Sequence, residues 1–253
     1  MLGLGGVLPS VWADGSVRTV ESPAGLLIYR EVAHHESVED EVPILVLGLH
    51  GFGIDERQVA TLVALELERP FVYLALRGFY TLEDGTYGWF PIHFVDSGKG
   101  ALFPEIRSDD LADCTQRLAE AVEILAREAG VEPGRVVLVG YSQGAVTALA
   151  SAIRYPHLFQ GVAALAGSLP REALEASKGV EGDLSDLPIF LGHGTKDPLI
   201  PAPELHWTRD TLEHLGAAVT DREYPIPHVV SAAGRRDLAS WIDQLSTDSS
   251  SRR

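Results

Sequence analysis

Cysteine is almost absent from this chain. Only Cys114 occurs in 253 residues, so no intrachain disulfide can form, and a reducing compartment, the cytoplasm, is the expected location. Cys114 lies in a helical pattern, DDLADCTQRLAEAV, and reads as a small buried hydrophobe. Lysine is scarce as well, present only as Lys99, Lys178 and Lys196. No apolar run reaches the roughly 18–20 residues needed to cross a bilayer, so no membrane insertion is expected. The opening MLGLGGVLPSVWADG is mildly apolar, but it lacks a basic n-region and is broken by glycines and Pro9, which argues against a secretory signal. Internal repeats are missing, and so is a G-x-G-x-x-G after the first strand, which excludes a dinucleotide phosphate loop. Positive charge is also in deficit: 20 Lys and Arg face 36 Asp and Glu, a net charge of −16. That balance excludes nucleic acid and anionic membrane as main partners, and the scattered acids read as a solvated surface.

What the chain does have is alternation. PILVLGLHG (Pro43–Gly51), FVYLALRG (Phe71–Gly78), RVVLVGY and LPIFLGHG are continuous β-type runs of the kind buried on both faces. Helical patterns stand between them: ERQVATLVALELE (Glu56–Glu68), SDDLADCTQRLAEAVEILAREAG (Ser108–Gly130), QGAVTALASAIRY and PELHWTRDTLEHLG. GLLIYREVA (Gly25–Ala33) reads as an early, edge-type strand; AVTDREYPI and VSAAGRRDLASWIDQL close the series. This order predicts one α/β domain with a mostly parallel central sheet and helices on both faces. Its core would span about residues 25–245, with a polar tail at 246–253. The segment Phe79–Arg107 has no sustained period and is rich in aromatics; it reads as a long functional loop.

The stretch VVLVGYSQGAVTALASA (Val136–Ala152) runs from a buried strand into a helix through GYSQG. A serine held proud of a sheet edge by a one-residue reversal needs positive φ and small neighbours, which accounts for Gly140 and Gly144 around Ser142. A serine is inert without a base. In this arrangement the acid and the base follow at the tips of later strands, and FLGHGTKDPLIP supplies Asp197 while REYPIPHVVS supplies His228. Asp186, Asp210 and Asp221 fall before a strand, on a helix and within a strand. His34 and His35 sit in a charged turn, and His157, His206 and His214 lie on helices or their ends. His93 is a residue that could touch substrate, and His193 is read as support for the Asp197 loop. Backbone N–H donors for an oxyanion are expected from Gln143, after the nucleophile, and Phe52, in the HGFG loop that His50 would prop. Tyr87, Trp89 and Phe90 leave the same sheet edge and are expected to wall an apolar substrate pocket.

LGLHGFGIDE, GWFPI, LVGYSQGAVTAL, LPIFLGHGTKDPLIP and YPIPH, in this order and spacing, resemble the phospholipase/carboxylesterase family of α/β-hydrolases, which includes small bacterial carboxylesterases and acyl-protein thioesterases. The resemblance runs from about Pro43 to Leu245. It implies the α/β-hydrolase fold, a Ser142–Asp197–His228 triad, Phe52 and Gln143 amides as oxyanion hole, and no cofactor or metal. Two departures stand out. Phe52 replaces a frequent leucine, and WFPIHF replaces an acidic step after the loop tryptophan, so substrate preference does not carry over. The stretch Gly167–Leu187 is too short for a separate cap domain. A serine carboxylesterase acting on a small-molecule ester is the expectation. A thioesterase or lysophospholipase with the same machinery, a peptidase, and a non-catalytic binder stand as alternatives, and a homodimer is left open.

Overall fold

The computed structural model describes residues 15–23, 25–35, 43–63, 67–96, 102–132, 134–179, 183–185 and 187–245. The opening 1–14, the polar tail 246–253 and Asp186 lie outside the described residues, as does residue 24.

An eight-stranded sheet forms the centre. It contains β1 (Val17–Ser22), β2 (Gly25–His35), β3 (Ile44–Leu49) and β4 (Phe71–Leu76), followed after a small-sheet region by further strands. That region holds β5 (Tyr80–Thr81), β6 (Tyr87–Gly88), β7 (His93–Asp96) and β8 (Leu102–Glu105). The central sheet is completed by β9 (Val136–Tyr141), β10 (Phe159–Leu165), β11 (Pro188–Gly194) and β12 (Ala218–Tyr224). Its order is β1-β2-β4-β3-β9-β10-β11-β12, parallel from β4 to β12 and antiparallel at β2. The helices are α1 (Glu56–Leu62), α2 (Ser108–Glu128), α3 (Gln143–Arg154), α4 (Arg171–Ala176), α5 (Ala202–His214) and α6 (Ala232–Asp243). This is an α/β-hydrolase fold without an inserted cap domain among the described residues.

The period-2 geometry of the strands sends alternate residues to opposite helical layers. Leu45, Leu47 and Leu49 of β3 pack with α2 and α3, whose Leu111, Leu118, Val122 and Leu149 are fully buried. Ile44 and Val46 pack the other way, with Val59 of α1 and Leu238, Trp241 and Ile242 of α6. Cys114 is 2% exposed on the first of these faces, and burial pushes its thiol up to about 12. Among the described residues no helix is long and apolar enough to cross a membrane.

Four expectations are corrected. His34 and His35 lie not in a turn but in the last positions of β2, opposite Val72 and Phe71 of β4. β2 is no edge strand, because β1 pairs along its outer side from Val17–Arg30 to Ser22–Gly25. The segment Phe79–Arg107 is not one structureless loop: β5 pairs with β6 and β7 with β8, each antiparallel. The first hairpin turns where Asp84 accepts bonds from the Thr86 amide and hydroxyl, at 3.0 and 2.6 Å. Strands of two to four residues are too short for alternation to register. Finally, α4 fills part of the stretch after β10 and was not foreseen.

Candidate active site

The turn between β9 and α3 puts Ser142 at φ 54° and ψ −117°, a conformation that costs about 1–3 kcal/mol for a residue other than glycine. The flanking glycines are needed for different reasons. A Cβ on Gly140 would stand 2.2 Å from the Gly144 carbonyl oxygen, and one on Gly144 would stand 2.3 Å from the Leu49 oxygen at the end of β3. Both contacts are with backbone, which cannot swing aside. Ser142 itself is half-buried, and α3 aims its N-terminus at it.

Ser142 Oγ lies 3.0 Å from His228 Nε2, and His228 Nδ1 lies 2.7 Å from Asp197 Oδ2. A carboxylate only accepts, so Nδ1 carries the proton and Nε2 is left to accept from the serine hydroxyl. The Asp197 carboxylate is 0% exposed, and its second oxygen accepts from the amides of Leu199 and Ile200 at 2.8 and 3.1 Å. Neither oxygen can turn without losing a bond. Three residues separated by up to 86 positions in sequence are thus joined by one hydrogen-bonded line. Such a line can move a proton from the hydroxyl to the imidazole while the carboxylate steadies the resulting cation.

The backbone of the loop after β3 is pinned on either side of Phe52. The Gly51 amide donates to Gln58 Oε1 at 3.1 Å, and the Gly53 amide donates to the Tyr87 carbonyl at 2.9 Å. Between them the Phe52 amide has no acceptor among the described residues, and neither has the Gln143 amide at the first position of α3. His50 is fully buried under this loop. Its Nε2 accepts from the Gly78 amide at 2.9 Å, so its Nδ1 carries hydrogen and donates to the Gly51 carbonyl at 2.6 Å. Burial lowers the His50 pKa, and the neutral ring that results fits this bonding.

Two expected pocket residues have another place. Trp89 and Phe90 are each 2% exposed and belong to the core, so they wall no open pocket. Trp89 Nε1 donates to the His50 carbonyl at 2.8 Å, and its amide donates to Gln143 Oε1 at 2.9 Å. Gln143 Nε2 completes the link by donating to the Phe90 carbonyl at 2.8 Å. Tyr87 alone keeps a half-buried ring, with the Arg77 guanidinium 4.7 Å from its centre. Exposed apolar side chains near the line come instead from Phe52, Leu199 and Val229, one on each loop that bears or adjoins the polar residues.

Several supporting residues were not visible in sequence. The Tyr141 hydroxyl donates to the His228 carbonyl at 2.9 Å and so fixes the backbone of that loop. Glu56, whose side chain is 1% exposed, takes two bonds from Arg77, at 2.7 and 2.9 Å, and locks α1 to the end of β4. Burial alone would raise the Glu56 carboxyl, but the Arg77 bonds and charge outweigh it and hold the group below its ordinary value. His93 is half-buried, with its Nε2 2.8 Å from Asp110 Oδ2 at the start of α2. His193, read as support for the Asp197 loop, is buried on β11 between Asp221 and Glu223. Asp210 pairs with Arg209 on α5, away from the line of bonds.

Residues 30–246 match the Phospholipase/Carboxylesterase family. The chain belongs to this family. Among its relatives is acyl-protein thioesterase 1 of Kluyveromyces lactis, 40% identical over 74 residues, which are 28% of this chain and 32% of the relative. The Saccharomyces cerevisiae protein of the same name is 30% identical over 115 residues, 45% of this chain and 47% of that one. The chain thus spans less than half the length of these two curated relatives. A solved carboxylesterase of Bacillus cereus superposes with a TM-score of 0.67 at 22% identity, covering 92% of this chain and 96% of that one. At that identity the likeness establishes the shared fold.

Proposed function

We propose that this family member is a serine carboxylesterase acting on small or medium acyl and aryl esters through an acyl-enzyme. The observation that carries the reading is the line Ser142–His228–Asp197, with contacts of 3.0 and 2.7 Å. As Ser142 Oγ bonds to the ester carbonyl carbon, its proton passes to His228 Nε2, and the carbonyl oxygen becomes an oxyanion facing the free Phe52 and Gln143 amides. Collapse expels the alcohol, which takes the proton from His228. Water then enters with its proton going to the same nitrogen, and the acid leaves Ser142 free again. No cofactor takes part in these steps. Phe52, Leu199 and Val229 offer the acyl chain an apolar rim. With no membrane-length helix among the described residues and one buried thiol, a cytoplasmic location suits the reading.

A thioesterase is the second reading, favoured by the name its curated relatives bear. The same residues would serve, with a thiolate as leaving group. The test is a panel of p-nitrophenyl esters, acyl-CoA thioesters and dipeptide amides, with wild type and Ser142→Ala side by side. Turnover of esters that falls by several orders of magnitude in Ser142→Ala, with fluorophosphonate labelling Ser142 alone, is the expected result. Retained esterase activity in that variant would refute the assignment, and faster thioester turnover would favour the second reading.

A further inference from the structure

β11 and β12 run parallel with His193 opposite Glu223 and Leu191 opposite Asp221, so Asp221 and Glu223 point to one face of the sheet's edge strand. His193 reaches the same place. Its side chain is 4% exposed, yet its Nε2 is shut off from solvent and has no hydrogen-bond partner among the described residues. Asp221 Oδ1 is likewise buried and without a partner. His193 Nδ1 stands 3.7 Å from Asp221 Oδ1, and its Nε2, the nitrogen without a partner, stands 3.6 Å from Glu223 Oε1. These gaps are too long for hydrogen bonds, which close at about 2.7–3.2 Å. Bonds of about 2.0–2.2 Å put neighbouring donors on one tetrahedral cation about 3.4 Å apart. That is close to the 3.6 Å from Nε2 to Glu223 Oε1, whereas the Asp221 carboxylate lies toward the other ring nitrogen and would have to turn to join them. One donor atom from each of the three residues fits within a 4.8 Å span.

We propose that His193, Asp221 and Glu223 hold one divalent cation of the zinc class. Imidazole nitrogen with two carboxylate oxygens is a donor set for borderline transition metals, where magnesium or calcium would call for oxygen throughout. Charge agrees, since two carboxylates and a neutral imidazole balance a dication. The nearest competitor is Arg209, whose Nη1 is 3.7 Å from Asp221 Oδ2, and it leaves Oδ1 available. The Arg222 side chain is engaged with the Asp221 carbonyl at 2.9 Å, so it does not take the carboxylate. Glu223 is half exposed, which gives the ion a way in. The cation would brace β11 against β12, the strands whose following loops carry Asp197 and His228. Its role is structural, and it takes no part in the ester chemistry.

The test is isothermal titration of the EDTA-treated, dialysed full chain with Zn²⁺ alone, together with thermal melts with and without Zn²⁺. The expected result is saturable one-to-one binding and a rise in Tm. Glu223→Gln, at a half-exposed position, removes the charge of one proposed ligand and should weaken binding by about tenfold or more, since loss of even a supporting group costs a metal site about that much. His193→Asn should weaken it further. Absence of saturable binding, or binding equally tight in both variants, overturns the proposal. So does a Tm that climbs on acidification and ignores Zn²⁺, because His193 would then be satisfied by a proton between the two acids.

Discussion

Trp89→Phe separates a prop from a pocket wall. The ring keeps most of its volume in the core, while the Nε1–H bond to the His50 carbonyl, 2.8 Å in the wild type, is deleted. That carbonyl is buried, so leaving it without a donor costs about 1–3 kcal/mol. For a protein of this size Tm should drop by about 2–4 °C for each kcal/mol lost. Trp89→Ala is a poorer probe, since a void of that size costs about 3–5 kcal/mol by itself. His50 begins the loop that holds the Phe52 amide, so its slackening should reach the oxyanion. Losing such a donor outright costs about 10²–10³ in kcat. A loosened one should cost less, about tenfold. Because Trp89 is 2% exposed and touches no substrate surface, kcat should fall by the same factor for acetyl, butyryl and octanoyl p-nitrophenyl esters, with KM little changed. A selective change in chain-length preference would refute this and restore the ring to the acyl site. Unchanged Tm and kcat would refute the bond's role altogether.

His228→Asn should abolish turnover at every pH on the same ester assay, because no group then remains to accept the Ser142 proton; substantial remaining turnover would refute its role as base. Glu56→Gln should lower the urea-unfolding free energy by roughly 1–3 kcal/mol at neutral pH, because the partly buried Arg77 would lose its charged hydrogen-bond partner. With the folded carboxyl held below the ordinary 4.5, the Glu56 contribution is complete above that value and is lost as pH falls through the folded pKa, so wild type should lose stability in acid more steeply than Glu56→Gln. Cys114, with its buried thiol pushed up to about 12, should stay silent to a thiol reagent in the native protein and react once in urea; fast native labelling would contradict its place in the core.

Some of this could be read from the chain and some could not, for physical reasons. β3, β4, β9, β10 and β11 are buried on both faces, so their sequences are apolar runs, interrupted only by Gln160 and His193, whose meaning is local. β1, VRTVES, is largely solvent-facing and offers no such contrast. That Ser142, Asp197 and His228 meet was legible because each follows the tip of a strand in the same sheet, in a restricted chain order. The side-chain bonds of Gln143 could not be read, since its partners Trp89 and Phe90 lie 54 and 53 positions away. Trp89 shows the same limit from the other side: an aromatic-rich segment announces apolar surface, yet nothing local says whether the ring faces substrate or core.

What holds the strained serine is a continuation of the sheet. At the end of β9 the Ser142 amide donates to the Leu165 carbonyl of β10, at 2.9 Å. One strand over, the Ala166 amide donates to the Gly192 carbonyl of β11, at 2.8 Å, and Ala166 is the other non-glycine residue with positive φ among those described, at 49°. At the end of β11 the Thr195 amide donates to the Tyr224 carbonyl of β12, at 2.8 Å, and the Lys196 amide reaches the Ile226 carbonyl at 3.1 Å. The parallel ladder thus runs one residue past each strand before the chain turns away. Each step fixes the first residue of a loop against the next strand, and the steps lead from the serine's strand to the carboxylate's and on to the histidine's. Strain of about 1–3 kcal/mol at Ser142 persists because this ladder, the two glycines and α3 leave the turn no alternative geometry. The three side chains meet at hydrogen-bond distance because their backbones are already tied in series, with little left for substrate binding to rearrange.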